Sequence, residues 1–384
     1  MTSILPEQDF AWVCPAVRRP PAAGFAHRRS GIKISPVIAD DLPRDESATG
    51  GTIPTVSVVM SAYNARRYVA RAIRSVRSQT VRDWELLIFD DGSTDGTREI
   101  LREYAGRDTR IRLFLNEHRG YVTWLNEGLR QARGSFWARM DADDVALPHR
   151  FEKQVAYLRQ HPDCVVVGAD AMQVDADGWP MGRLRVPLMH EQIEASLLEG
   201  LGEVLCHPVA MFRRDALTAV GGYRKECELA EDVDLYLRLA EVGRLANLPD
   251  VLLRYRRHFM SVTASQQTKH GEALRRGLQS AYRRRGLPPP AEEPLRLRRQ
   301  VRNATRPEMR RYWIEQALQA GHIWTARKHA LRLAVESHGS PPALHLLRRT
   351  LLSERTPGVA WLKRWRRRLL GARSVTPPAT GQRT

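Results

Sequence analysis

Three short acidic clusters carry most of the chemistry open to this sequence: Asp90-Asp91, Asp141-Ala142-Asp143-Asp144 and Glu231-Asp232. In a D-x-D pattern two carboxylates on one loop can turn toward a single hard cation, Mg2+ or Mn2+, which keeps part of its shell for phosphate oxygens. A carboxylate elsewhere can act as general base for a hydroxyl proton. Together these meet the two demands of displacing a diphosphate by a hydroxyl, namely neutralising charge on the leaving side and removing a proton on the attacking side. A carboxylate at Asp91 can also accept from the N–H of a base or the hydroxyls of a ribose. Each cluster has a plainer use as well. D-x-D alone fits an acidic turn or helix cap, and Ser93, Asp95 and Thr97 fit a helix start eased by Gly96. Glu231-Asp232 fits the first turn of a helix, where the macrodipole favours acids.

The elements that must position these groups follow from the apolar pattern. Short runs rich in β-branched and aromatic residues predict strands at 55–60, 84–89, 111–115 and 136–140, alternating with helices at 66–79, 99–104 and 121–132. Such alternation predicts an α/β fold with a largely parallel sheet. Ligands bind beyond the carboxyl ends of strands in sheets of this kind. Asp90-Asp91 and the 141–144 cluster each follow a strand directly, so they should converge on one cleft. A helix at 150–160, a strand at 165–168, a turn at 175–178, a helix at 232–242 and a strand at 251–255 complete the pattern. The expected organisation is a tail or linker over 1–52, one domain over 53–265, and an Arg-rich helical extension over 266–384. Within the extension, 312–335 alternates small and large apolar positions like one hairpin of a tetratricopeptide-type unit.

Composition narrows the setting. With 42% hydrophobic and 27% charged residues the chain is not of the disordered class. Its net charge of +18 attracts nucleic acid, anionic lipid and phosphorylated substrates alike. Cys14, Cys164, Cys206 and Cys227 form no C-x-x-C pair and have no histidines at zinc spacing, which predicts reduced thiols. Pro15 interrupts a short apolar stretch that no basic segment precedes, which predicts no secretory signal. No run of about eighteen apolar residues predicts a membrane span. The segment W-L-K-R-W-R-R-R-L-L at 361–370 reads either as an interfacial helix for an anionic membrane or as a charged helix packed on the body. The expected location is therefore the cytoplasm, with peripheral contact at the inner face of the plasma membrane. The same basic, Trp-containing tail supports an alternative, a nucleic-acid-binding protein. That alternative leaves the ordered aspartates without a purpose, so no nucleic acid is expected as partner. An inactive scaffold is the second alternative, opposed by the intact Asp141, Asp143 and Asp232.

Taken in order, V-S-V-V-M-S-A-Y-N, D-D-G-S-T-D-G-T, A-R-M-D-A-D-D, H-P-V-A-M-F-R-R, V-G-G-Y, A-E-D-V-D-L-Y-L-R and Y-R-R-H resemble the family 2 glycosyltransferases, over residues 53–265. The resemblance implies a GT-A domain, Rossmann-like and of the nucleotide-diphospho-sugar transferase kind, with a C-terminal helical extension. It implies inverting, Mn2+- or Mg2+-dependent transfer of a hexosyl or N-acetylhexosaminyl group from a nucleotide-diphosphate sugar to a hydroxyl of a glycan or lipid-linked acceptor. Cell-surface polysaccharide or glycolipid synthesis is the implied setting. Carried over by position, Ala62, Tyr63, Asn64, Asp90 and Asp91 would line the nucleotide pocket, Asp141 would contact the ribose or metal, and Asp143 would bind the metal. Asp232 would be the general base, Glu231 would shape the acceptor side, His258 would help hold phosphate or metal, and Arg256 and Arg257 would neighbour the phosphates. One stretch departs from the pattern: N-E-H-R-G-Y-V-T-W-L-N-E-G at 116–128, where relatives commonly carry Gly and small residues before the Asn. Arg119 and Trp124 there predict a bulkier or more charged donor side.

Overall fold

A computed structural model describes residues 53–259, 267–288 and 305–352. The 1–52 tail, Cys14 and the basic 361–370 segment lie outside the described residues.

The sheet is built around β1 (Val56–Ala62), which pairs in parallel with β2 (Trp84–Asp91) on one side and β4 (Phe136–Arg139) on the other. β3 (Ile111–Asn116) continues the parallel set beyond β2. Helices cover both faces, so these strands need apolar residues almost without interruption; every residue of β2 is buried. The period of two still sorts them. Val56, Val58, Met60, Leu86 and Ile88 enter one core, with Val69, Ile73 and Val76 of α1 (Val69–Arg77) and Phe151 and Leu158 of α4 (Arg150–Gln160). Val59, Leu87 and Phe89 enter the other, with Val122 and Leu125 of α3 (Tyr121–Gln131). α2 (Thr97–Arg107) follows β2.

Beyond β4 short antiparallel strands join the sheet, which is otherwise largely parallel as expected. The order runs β3-β2-β1-β4-β8-β6-β9-β5, with β8 (Met211–Arg213) antiparallel to both β4 and β6 (Cys164–Val174). β6 and β9 (Arg244–Arg256) are parallel, while β5 (Val145–Ala146) and β7 (Pro180–Leu184) pair antiparallel with β9 and β6. The antiparallel strands have two, three and five residues, too few for a period to show. β6 and β9 are longer than their apolar runs suggest, with eleven and thirteen residues. Pro249, which cannot donate to a ladder, reads as a break in sequence. Here Ala169 pairs with Leu248 and Asp170 with Val251, so Pro249-Asp250 bulges out and pairing resumes beyond it.

The remaining helices close the second core and lead away from it. After α5 (His190–Leu198) and α6 (Arg214–Ala219), α7 (Glu231–Leu239) buries Val233, Leu235, Tyr236, Leu237 and Leu239. α8 (Gln267–Arg284) adds Ala273, Leu274, Leu278 and Ala281 to that same core. α9 (Arg306–Gln319) opens with a capping box between Thr305 and Glu308. With α10 (Ile323–Glu336) and α11 (Pro341–Leu351) it encloses a separate small core of Ile314, Ala317, Ala326, Ala330, Leu333 and Ala343. Of the small residues in the 312–335 pattern, Ala317, Ala326 and Ala330 form the seam of a helical hairpin, while Ala320 and Gly321 are exposed at its turn. Cys164, Cys206 and Cys227 are buried free thiols. Among the described residues no helix is long and apolar enough to cross a membrane.

Gly128 tests how closely α3 lies on the sheet. Alanine in a helix interior is ordinarily better than glycine by roughly 0.5–1 kcal/mol. At 128, however, a Cβ would run into both methyl groups of Val59 on β1. Gly128→Ala should therefore destabilise the fold by about 1–3 kcal/mol in urea unfolding. Combined with Val59→Ala it should cost less than the sum of the single changes; a stabilised Gly128→Ala protein would contradict this contact.

Candidate active site

The ends of β1 and β2 form the first part of the site. Register sets Ala62 opposite Asp90, so the two loops leave the sheet side by side. Their tips are stitched together: the backbone N–H of Asn64 donates to Ser93 Oγ at 3.0 Å, and that of Thr94 to Asn64 Oδ1 at 2.9 Å. Ala65 N–H reaches Thr97 Oγ1 at 2.8 Å and Arg66 N–H reaches Asp95 Oδ2 at 3.1 Å. Asn64 takes up a left-handed backbone, φ 47°, to make this turn. Asp95 also accepts from the N–H of Thr97, the first residue of α2, while the N-cap position itself is Gly96. Tyr63 is exposed, its ring 4.6 Å from that of His118.

The two aspartates at the end of β2 divide their work. Asp91 is surrounded by donors of its own chain: the N–H groups of Arg119 and Gly120, Nε1 of Trp124 at 2.6 Å, and His118 at 3.0 Å. Its carboxylate thereby anchors the start of α3. Trp124 is buried and stacks with Phe89, so the bulk predicted for the donor side is turned into the core; Arg119 remains exposed. Asp90 uses Oδ2 for Gly92, Ser93 and Arg98, while its buried Oδ1 has no partner. Of the pair, Asp90 is the one with an oxygen to spare for a ligand.

The second part lies beyond β4. Asp141, Asp143 and Asp144 bring carboxylate oxygens within 4.8 Å of one another. Asp141 accepts from Arg139 at 2.8 Å, and Asp143 faces Nε2 of His258 at 2.9 Å. Asp144 accepts the N–H of Arg256 through Oδ1 at 2.7 Å, and its buried Oδ2 has no partner. Burial first, and then Asp143 and Asp141, push the Asp144 carboxyl well above the usual carboxylate range. Loss of water and the neighbouring Asp143 raise Asp141 as well, against the pull of Arg139. Crowded carboxylates with one orphaned oxygen, and an imidazole beside them, form the oxygen-rich donor set that suits Mg2+ or Mn2+. The residues present fit such an ion. Arg256 does not reach outward as a phosphate neighbour: its Nε donates to the Asp143 carbonyl at 2.7 Å and its Nη1 to those of Asp175 and Ala176.

The third part is the start of α7. Glu231 is buried, accepts the Tyr121 hydroxyl at 2.8 Å, and has His207 at 3.7 Å. Burial, then the adjacent Asp232, pushes its carboxyl up to about 7. His207 is held well below its ordinary value by burial and by Arg139, and its Nε2 is 2.8 Å from the Tyr223 hydroxyl. Asp232 is only partly buried, and Gly202 lies against its carboxylate. Arg257 is 3.6 Å from Glu203, the residue after Gly202.

Several participants carried a sequence signal without a role. Asp144 adjoins the D-x-D pair, and His207 and Tyr223 stand in the H-P-V and G-G-Y motifs. Arg139 joins the parts: buried, bonded to Asp141, and among the charges felt by Glu231 and His207. Its Nη1 is buried without a partner.

The family model described as Glycosyl transferase family 2 matches residues 57–221. EpsE of Bacillus subtilis (strain 168) is 38% identical over 208 residues, spanning 53% of this chain and 73% of EpsE. The O-antigen biosynthesis glycosyltransferase WbnJ of Escherichia coli is 32% identical over 214 residues, spanning 55% of this chain and 82% of WbnJ. Among solved structures, S. aureus TarS 1–349 in complex with UDP-GlcNAc shares the fold at a TM-score of 0.51 and 17% identity, over 77% of this chain and 90% of that one. Identity above 30% along most of the length of two such relatives settles the family to which the acidic strand ends pointed: the chain is a glycosyltransferase of family 2, and its sheet is that of the GT-A fold.

Proposed function

We propose that this chain is an inverting, divalent-metal-dependent glycosyltransferase. It moves a hexosyl or N-acetylhexosaminyl group from a nucleotide-diphosphate sugar to a hydroxyl of a glycan or lipid-linked acceptor, in cell-surface polysaccharide or glycolipid synthesis. The observation that carries the reading is the gathering of Asp141, Asp143 and Asp144 beside His258, with a buried Asp144 oxygen that no protein group satisfies. That WbnJ is an O-antigen biosynthesis glycosyltransferase supports the setting.

In this reading the nucleoside lies at the β1 and β2 loops. Asp90 accepts from it through the oxygen that has no protein partner, while Ala62, Tyr63 and Asn64 form the rim. Asp91 contributes indirectly, by fixing the start of α3. A bound Mn2+ or Mg2+, held by the three aspartates with His258, would neutralise charge on the departing diphosphate. Asp232, partly exposed on the first turn of α7, takes the acceptor's proton. As the acceptor oxygen bonds to the anomeric carbon, the bond from that carbon to the diphosphate oxygen breaks, and one displacement inverts the centre. Glu231 is the poorer candidate for base despite its raised proton affinity, because it is enclosed and bonded to Tyr121. It forms the wall against which Asp232 is placed.

Screening nucleotide sugars for release of nucleoside diphosphate should find turnover that a chelator abolishes and added Mn2+ or Mg2+ restores; full activity in chelator would remove the metal from the mechanism. Asp232→Asn should lower transfer by about a hundredfold or more, while calorimetry finds nucleoside-diphosphate affinity nearly unchanged. An Asp232→Asn enzyme of ordinary rate would move the base elsewhere.

A further inference from the structure

We propose that Arg256 is a positioning residue for the metal-binding loop and that the helical hairpin of α9 and α10 holds it in place. The inference rests on the metal-binding reading of Asp141, Asp143 and Asp144.

Arg256 is the last residue of β9 and is buried. Its backbone N–H donates to Asp144, and its guanidinium spans the carbonyls of Asp143, Asp175 and Ala176 at 2.7–3.2 Å while lying 4.6 Å over the Tyr68 ring. A rigid planar fork of donors can bridge separate carbonyls in this way; an ammonium on a flexible stem cannot. One side chain therefore ties the loop bearing the metal carboxylates to the turn between β6 and β7.

That turn is fastened from the other side by α10. Asp175 is buried, and its Oδ1 accepts the N–H groups of Asp177 and Trp179, both at 2.9 Å. Its Oδ2 receives Lys328 Nζ at 2.6 Å and faces His329 Nε2 at 3.0 Å. Lys328 also pairs with Asp177 at 2.6 Å. Burial raises the Asp175 carboxyl, but its bonds with His329 and Lys328 outweigh it and hold the group below the usual range. The hairpin grips the far flank too. Phe259, the residue after His258, packs on Trp313 of α9 with ring centroids 4.7 Å apart, and Trp313 meets His329 edge-on at 5.3 Å. Both the turn under Arg256 and the loop carrying His258 are thus seated on the same pair of helices. Groups that orient metal ligands from behind typically change metal affinity by about 10–100-fold when removed.

Mn2+ binding to the full chain, followed by the electron paramagnetic resonance of the free ion without nucleotide, separates this inference from the reading beneath it. Wild-type protein that fails to bind Mn2+ would overturn both. If it binds, Arg256→Lys should weaken Mn2+ by about tenfold or more. Lys328→Met, which removes contacts to Asp175 and Asp177 and not to Asp141, Asp143 or Asp144, should also weaken it, by at least about threefold, on the smaller side of such effects. Saturating Mn2+ should restore turnover in the Lys328→Met enzyme. Arg349→Ala breaks an exposed pair between α11 and α9, with Glu315, and should leave Mn2+ affinity unchanged. Wild-type affinity in folded Lys328→Met protein would overturn the role of the hairpin, and an equal loss in Arg349→Ala would reduce the effect to general loosening.

Discussion

Asp141, Asp143 and Asp144 stand with oxygens within 4.8 Å of one another beyond a buried strand, and like charges so placed raise one another's affinity for protons. Much of the surrounding structure answers that repulsion. Arg139 faces the first carboxylate, His258 the second, and the backbone of Arg256 the third. These partners come from β4, from the residues after β9 and from the end of β9 itself, strands that are not neighbours in the sheet. The pairing of β9 with β5, which begins directly after Asp144, brings Arg256 and His258 to a loop more than a hundred residues earlier in the chain.

How much of this was legible in the sequence depended on the range of the interaction that encodes it. The parallel half of the sheet was legible because strands covered on both faces must be nearly continuous in apolar residues, as 56–60 and 84–89 are. The acidic strand ends were legible because each follows such a run directly, at the carboxyl ends of strands where ligands bind in sheets of this kind. Division of labour within a pair was not. Nothing local separates Asp90 from Asp91; the difference arises when Trp124 folds back to bond one of them. The same residue looked like bulk at a binding site because its burial depends on stacking with Phe89, contributed by another strand. Short antiparallel strands such as β5 and β8 escaped for a related reason, since their partners, and not their own residues, define them.

Two kinds of core divide the described chain in a way that composition does not. The Arg-rich character begins near 266, yet α8 is packed with α7 in the core that includes Val59 and Phe89 of the sheet. The next three helices have a core of their own, made largely of alanine and leucine. Most of the charge on these helices faces solvent, with Arg310 and Lys328 turned inward, while small and large apolar spacing tracks what each one packs against.

The stitched loops at 64–66 and 93–97 have a thermodynamic consequence for ligand capture. Their tips are joined by bonds from backbone N–H groups to side-chain oxygens, so the rim is ordered by the protein's own contacts. A ligand that settles on a rim already ordered forfeits little conformational entropy in doing so. On the proposed nucleoside site, discrimination would then reside in the enthalpy and geometry of direct contacts, and exchange of one nucleotide for another would not wait for a loop to fold.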